Sequence, residues 1–428
     1  MRDIGVFGAI SIGIGGMVGG GIFAVLGEAV SLAHGATAIS FFIAGIVALF
    51  TSYSYAKLSV AYQSEGGTVT FIDKAFGDNL ISGSINLMLW LSYLVTISLY
   101  ASAFGSYGAT FFTYKTPFLM HSLISLSIIL PAIINLISSS FVSKSETLIV
   151  LLKITLLIVI IVASGPYVDT QRLSSEHFGT WFSIVSAGMI IFVAYEGFEL
   201  IANSAEEIKN PAKNLPLALY ASVIIVIILY ILISIITVGN VSEAELLKAQ
   251  DYALAIAAKP ALGSIGFTLV GVAALLSTFS AINATIYGNA RLGYIIAKDG
   301  KLPKQLLLEK NNIPFMGIIF IVILSLILAN MVKLDSIAII GSAGFLLVFL
   351  LVNISALKLS KEIGANKVIT SISSLLSATA LIILLSHTYK SNPNAVMIFM
   401  LFIIVSLLFE VVYGRLVRGH LFYRRYRK

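Results

Sequence analysis

An all-α membrane fold with many crossings follows from three properties of the sequence: its apolar excess, its division into long apolar stretches, and the side on which its basic residues gather. Of 428 residues, 58% are hydrophobic and 11% are charged, and the mean hydropathy is +0.99. A soluble core cannot hide that much apolar surface, so lipid must be the solvent for most of the chain. A window of about 19 residues, cut at polar and Pro/Gly-rich breaks, gives twelve spans. They are 5–30, 36–61, 80–113, 118–138, 144–165, 180–206, 215–239, 263–297, 315–331, 335–358, 366–388 and 394–414. The third and eighth exceed the roughly 20 residues a bilayer needs, so they are expected to tilt or project beyond it. An even number puts both termini on one side.

Charge decides which side. Eighteen Lys and Arg residues fall on the N-terminal side, including Arg2, Lys74, Lys144, Lys209, Lys213, Lys298, Lys301 and six in the tail. The opposite side has six: Lys115, Arg172, Lys248, Lys259, Lys333 and Lys390. The positive-inside rule therefore makes both ends cytoplasmic, with the cell membrane as the location. The tail RLVRGHLFYRRYRK reads as a topology anchor resting on anionic lipid, and the net charge of +7 as orientation, with no nucleic acid partner. The first apolar stretch runs too long for a signal h-region and lacks a small-residue cleavage site, so the first helix is expected to stay in the mature chain. With no Cys, disulfides, thiolate metal sites and Cys nucleophiles are excluded. His34, His121, His177, His387 and His420 lie near span ends, in loops or in the tail. No metal cluster, triad or cofactor motif is visible, and an enzyme is not expected.

Two stretches interrupt the apolar pattern. SIGIGGMVGGGIF, residues 11–23, clusters six glycines inside the first span. Small residues let membrane helices approach closely, and the same glycines also let a helix unwind so that freed amides and carbonyls face a cavity. Both readings fit this stretch alone. FVAYEGFELIANSAEEIKNP, residues 192–211, puts Glu196 and Glu199 around Gly197 well inside the sixth span. An ionised carboxylate near the bilayer centre costs about 2.5–3.5 kcal/mol on insertion scales, so two of them three residues apart mark a polar cavity rather than a lipid face. Either one alone could also be a neutral, hydrogen-bonded structural group. Interruptions in the first and sixth spans are what two five-helix inverted repeats produce, with substrate held between them near the midplane.

GGMVGGGIF (15–23), FVAYEGFE followed by AEEIKNP and LP, and ALLSTFSAINATIYGNARLGYIIAKDGKLP (274–303) resemble the first-helix, sixth-helix and eighth-helix signatures of the amino acid–polyamine–organocation superfamily. The similarity covers nearly the whole chain. Within the superfamily it is greatest to broad-specificity, proton-coupled amino acid transporters, through NATIYG, AKDG and AIAAKP followed by LG. The resemblance implies a LeuT-like fold with helices 1 and 6 unwound. Residues 1–165 would form the first repeat, 166–360 the second, and 361–428 two further helices and a basic cytoplasmic tail. It implies proton-coupled amino acid symport by alternating access, in a monomer without cofactor or metal; a polyamine, amine or inorganic cation carrier or exchanger of the same fold is the alternative.

The same resemblance assigns residues. Amides near Gly19, Gly20 and Gly21 would bind the substrate carboxylate, which suits a positive helix N-terminus. The carbonyls of Met17, Val193 and Glu196 match positions that receive the substrate ammonium, Gly197 sits at the centre of the sixth-helix motif, and Tyr195 matches an aromatic gate. Gly20 stands where a hydroxyl residue is usual, and Glu196 replaces an apolar residue, whereas Glu199 occupies a position that carries Asp or Glu. In SKSETLIVLLKITLLIVIIV, residues 143–162, Lys153 lies about 10 Å along the fifth helix from Glu146. That is too deep for easy snorkelling. A lysine at the matching position occupies the space of a sodium ion in sodium-coupled relatives. The match implies that the Lys153 ammonium touches the Gly15 carbonyl and the Ser277 hydroxyl, tying the first, fifth and eighth helices together.

Overall fold

The computed structural model describes residues 2–137, 139–310 and 312–418, with the side chains of 139–147, 250 and 418 outside the description. The expectations for the end of the basic tail and for His420 lie outside the described residues. The described chain is helical, with three isolated bridges in place of any named strand. In order it forms α1 (Val6–Met17), α2 (Gly21–Ala33), α3 (Thr37–Ala61), α4 (Thr68–Phe76), α5 (Leu80–Ala109), α6 (Pro117–Ile137) and α7 (Ser139–Ser164). The second half runs α8 (Trp181–Ile190), α9 (Leu200–Asn203), α10 (Pro211–Asn240), α11 (Glu243–Lys248), α12 (Ala253–Ala257) and α13 (Lys259–Lys298). It ends with α14 (Phe315–Met331), α15 (Leu334–Lys358), α16 (Lys367–Ser391) and α17 (Pro393–Tyr413).

Helices dominate because hydrocarbon offers no partner to backbone amides and carbonyls, so each segment must satisfy its own. Among the described residues ten helices are long and apolar enough to cross a membrane, eleven when α1 and α2 count as one bent span. The ninth expected span is α14, whose 17 residues reach about 25 Å, short of a bilayer core of about 30 Å. The two spans read as overlong are the longest here: α5 has 30 residues and α13 has 40, the latter kinked at Gly263. Local signals fix some ends. Asn79 caps α5 by accepting from the amides of Ile81 (2.9 Å) and Ser82 (3.1 Å), while the Ser82 hydroxyl accepts from the Asn79 amide at 3.1 Å.

Burial separates inner from outer helices. In the sixth span, Trp181–Asn203, 89% of the most apolar window is inside the protein, against 22% for the last span. The interrupted first and sixth spans, α5 and α15 thus form the centre, and α6, α7, α16 and α17 turn apolar side chains outward to lipid. The central helices are rich in buried Ser, Thr and Ala, small residues that let membrane helices approach.

Two connections on the N-terminal side are ordered and locked together. The amphipathic α4 lies between α3 and α5, and the stretch after α13 carries Lys301, which is 2% exposed. Its ammonium pairs with the Asp73 carboxylate of α4 and, at 3.3 Å, with Asp78. Asn86 of α5 donates to the other Asp73 oxygen at 3.0 Å. Lys301, counted in the sequence among the side-determining cations, is therefore also a structural cation. Burial pushes the Asp73 carboxyl up from its usual range, against the pull of Lys301.

Lys301→Met should lower stability by about 1–3 kcal/mol, less than a fully buried pair because both carboxylates reach water. Without the lysine, the folded-state pKa of Asp73 stays raised above its unfolded value, so the deficit shrinks as pH falls and the carboxyl takes up a proton. Thermal unfolding in detergent at two pH values, with the double variant Lys301→Met/Asp73→Asn recovering part of the loss, checks this.

Candidate functional site at the two helix breaks

The first span is interrupted where the glycines cluster. Val18, Gly19 and Gly20 separate α1 from α2, and the two pieces bend by 48°. Gly20 caps α2 without a side-chain hydrogen bond, and the first amides of a helix have no intrahelical acceptor. A Cβ on Gly20 would stand 2.3 Å from the Tyr100 ring, and one on Gly21 2.7 Å from the Ala194 backbone. Close approach and interruption thus occur at the same residues.

The sixth span changes conformation at the paired glutamates. After α8 the chain tightens into a 3₁₀ turn, Ile191–Tyr195, then extends at Glu196 (φ −63°, ψ 153°) before α9 begins. Gly197 has φ +112°, which a residue with a side chain rarely adopts. A Cβ there would also lie 2.5 Å from the Gly16 carbonyl carbon, so the two interrupted segments meet backbone to backbone.

Side chains from other helices serve the groups exposed by these interruptions. The Tyr230 hydroxyl of α10 lies 2.7 Å from the Met17 carbonyl oxygen and 3.0 Å from that of Ala194, sharing one proton between the first and sixth spans. Ser342 of α15 accepts from the Val193 amide at 2.9 Å and donates to the Ile190 carbonyl. Glu199, fully buried, accepts from the Gly197 amide at 2.6 Å and from the Tyr93 hydroxyl at 2.8 Å. Lys153 of α7, 1% exposed, donates to the Gly15 carbonyl at 2.9 Å. Ser277 is fully buried on α13, and its hydroxyl makes no hydrogen bond among the described residues.

Glu196 sits at the wall of a cavity. Tyr100 donates to its Oε1 at 3.1 Å, and its carboxyl also lies within hydrogen-bonding reach of Glu199 and Thr96. The cavity measures about 120 Å³, and its lining includes Ser11, Gly15, Gly16, Tyr93, Thr285 and Asn289. Of the sequence-assigned residues, Gly15 and Glu196 line this cavity; Met17, Gly19, Gly20, Gly21, Val193, Tyr195 and Gly197 do not. Tyr195 is fully buried, donates to the Phe41 carbonyl at 2.8 Å and packs edge-on against Tyr230. A second cavity of about 500 Å³ lies toward the opposite side, lined by Ala24, Glu28, Ser102, Ser106, Asp251 and Asp335 among others. Tyr100 and Ser102, two positions apart on α5, line different cavities, so this stretch of α5 borders both.

Tyr230, Ser342, Tyr100 and Asn289 were not singled out from the sequence. Each is an unremarked hydroxyl or amide in an apolar span, and its partner is as much as 213 residues away. The buried Tyr93, one more aromatic in an apolar span, donates to Glu199.

A family model described as amino acid permease matches residues 4–414. The chain is 33% identical over 423 residues to an uncharacterized protein of Methanocaldococcus jannaschii, covering 97% of this chain and 96% of that one. It is 30% identical over 424 residues to the inner membrane transport protein YbaT of Escherichia coli, with the same coverage of 97% and 96%. It is 26% identical over 383 residues to the branched-chain amino acid permease BcaP of Bacillus subtilis, covering 84% and 81%. The match along almost the whole chain agrees with the helical membrane architecture and with the signatures at both interruptions: the chain belongs to the amino acid permease family of the amino acid–polyamine–organocation superfamily, whose members are transporters and not enzymes.

Proposed function

We propose that the protein is a secondary active transporter that carries an amino acid together with a proton across the cell membrane by alternating access. The observation that carries this reading is the bond from the buried Lys153 ammonium to the Gly15 carbonyl. Gly15 precedes the interruption of the first span and lines the smaller cavity, so a change in the proton load of one lysine acts directly on the wall of the site. Burial of an ammonium in a low-dielectric interior is stable only with such partners, and its deprotonation weakens the bond to the carbonyl, since a neutral amine is the poorer donor.

The amino acid substrate is supported by the family and by the relative named for branched-chain amino acids. Two cavities on either side of the Tyr100 region support alternating access, because a small movement there would open one while closing the other. Interruptions in the first span of each half support the division into repeats 1–165 and 166–360, with 361–428 appended. Eighteen basic residues against six support cytoplasmic termini in the cell membrane. The substrate carboxylate meets the amides that open α2, and its ammonium meets the carbonyls at the two interruptions, displacing the Tyr230 hydroxyl from Met17. Transport or exchange of an amine or inorganic cation is the second reading, favoured by the carboxyl of Glu196 at the wall of the smaller cavity.

Lys153→Ala should reduce gradient-driven accumulation to passive equilibration while the protein still inserts. Uptake in proteoliposomes with and without an inward proton gradient measures this, and gradient-dependent accumulation by the variant would remove Lys153 from coupling. Gly20→Val should abolish substrate binding, since the new side chain collides with the Tyr100 ring that abuts Gly20. Equilibrium binding to purified, monodisperse variant checks it; normal affinity would leave the glycine as packing alone.

A further inference from the structure

On the side opposite the termini, the far end of the first span carries a strained histidine. His34 ends α2 with φ +52° and ψ −124°, values rare for a residue with a side chain. Its backbone is fixed from both sides. The His34 amide donates to the Val30 carbonyl at 2.9 Å, its carbonyl accepts from the Thr37 hydroxyl at 2.7 Å, and the adjoining Gly35 amide donates to the His177 carbonyl at 2.8 Å. Strain of this kind persists where the surroundings hold it, and here it directs the side chain toward α11. The His34 Nδ1 atom stands 2.8 Å from Oε1 of Glu243. Nδ1 makes no aligned hydrogen bond among the described residues, so the attraction rests on the charge of the imidazole rather than on bond direction.

The neighbouring charges have partners of their own. A cavity of about 270 Å³ beside the pair is also lined by Arg172 and His177. Arg172 faces Asp169 at 3.5 Å and donates to the Gly239 carbonyl at 3.4 Å. Glu245, on the same helix as Glu243, accepts from the Ser242 hydroxyl at 3.0 Å. The side chains of His34 and Glu243 are 33% and 47% exposed, so water delivers protons to both. Histidine side chains change charge between about pH 5 and 8, His177 included, and a substitution at His34 alone separates the two. A proton on His34 favours the paired arrangement, so pairing is strongest at the acid end of that range and fades as pH rises through it.

The pair joins two walls of the larger cavity. Ala24 and Glu28 of α2 line that cavity from one side, and Asp251, in the turn after α11, lines it from another. Beside the pair, Val30, Val238, Leu246 and Ala253 pack in a small apolar cluster that pH does not touch, which leaves the His34–Glu243 contact as the adjustable part. We propose that His34 and Glu243 form a clasp governed by the pH outside the cell: protonated, it holds α2 against α11 and slows rearrangement of the larger cavity. Its effect on turnover rests on the reading of the protein as an amino acid transporter; the clasp itself does not.

Because the chain has no Cys, Ser31→Cys on α2 and Lys248→Cys on α11 give unique sites for a pair of spin labels in the full-length protein. The distance between the labels is measured in lipid nanodiscs at about pH 5.5 and about pH 8. A narrow distance distribution at the lower pH that broadens at the higher one is expected, with no such response once His34→Gln, or Glu243→Gln should that variant misfold, is added. A pH response that survives the substitution, or its absence in the parent, overturns the clasp. Exchange of radiolabelled leucine in proteoliposomes with equal pH on both faces, which removes the proton gradient, reads the consequence. At about pH 5.5, His34→Gln and Glu243→Gln should each raise the exchange rate about two- to fivefold and the double variant no further, while at about pH 8 neither should change it. Unchanged rates at the lower pH overturn the control of turnover. Failure of wild type to exchange any amino acid in a wider panel overturns the transporter reading, and the label distances then decide the clasp alone.

Discussion

Everything at the centre of this protein depends on one constraint: in hydrocarbon, a backbone group released from its helix must find a partner within the protein. Two spans are interrupted, so several such groups arise close together. Some are met by local backbone, and others by a side chain reaching over from another element. Tyr230 serves Met17 and Ala194, Ser342 serves Val193 and Ile190, and Lys153 serves Gly15. The interruptions consequently tie α7, α10 and α15 to the first and sixth spans. These bonds give the helix arrangement its register at the centre, where apolar packing against lipid-like neighbours supplies little direction.

The constraint also explains the buried glutamates. Glu199 is used as backbone would be, accepting from the Gly197 amide and from Tyr93 in a site where a helix carbonyl is missing. Glu196 has one oxygen held by Tyr100, lies beside the Glu199 carboxyl and lines the cavity. Three residues apart, the pair divides into a carboxyl that holds the backbone and one at the cavity wall. An insertion cost identical for both from the sequence is met in two different ways once their surroundings are known.

What was legible in the sequence follows from the range of the forces involved. Twelve apolar stretches predict the helices because burial in lipid acts on each segment separately. The clustered glycines and the Glu196–Gly197–Glu199 run marked the places where the helices depart from regularity, since both are costly within a span unless something compensates. The connections were less legible: α4, α11 and α12 are short, and the Lys301–Asp73 pair joins residues 228 apart in a region that reads as a polar loop. The hydroxyls and amides that complete the site were invisible for the same reason. Tyr230 carries no local signal, because its role exists only through carbonyls on two other helices.

The glycines posed two readings, close packing or interruption, and the geometry makes them one condition. Gly16 and Gly197 lie so near that a Cβ on either would strike the other's backbone, at 2.9 Å and 2.5 Å. Were those segments held apart by side chains, Met17 and Ala194 could not both reach the Tyr230 hydroxyl, and at least one carbonyl would be left unpaired at a cost of about 1–3 kcal/mol. An interruption in the membrane can therefore persist only where the chain is also thin enough for its neighbours to approach. Glycine provides both properties, and the composition of residues 11–23 follows from the need for both at once.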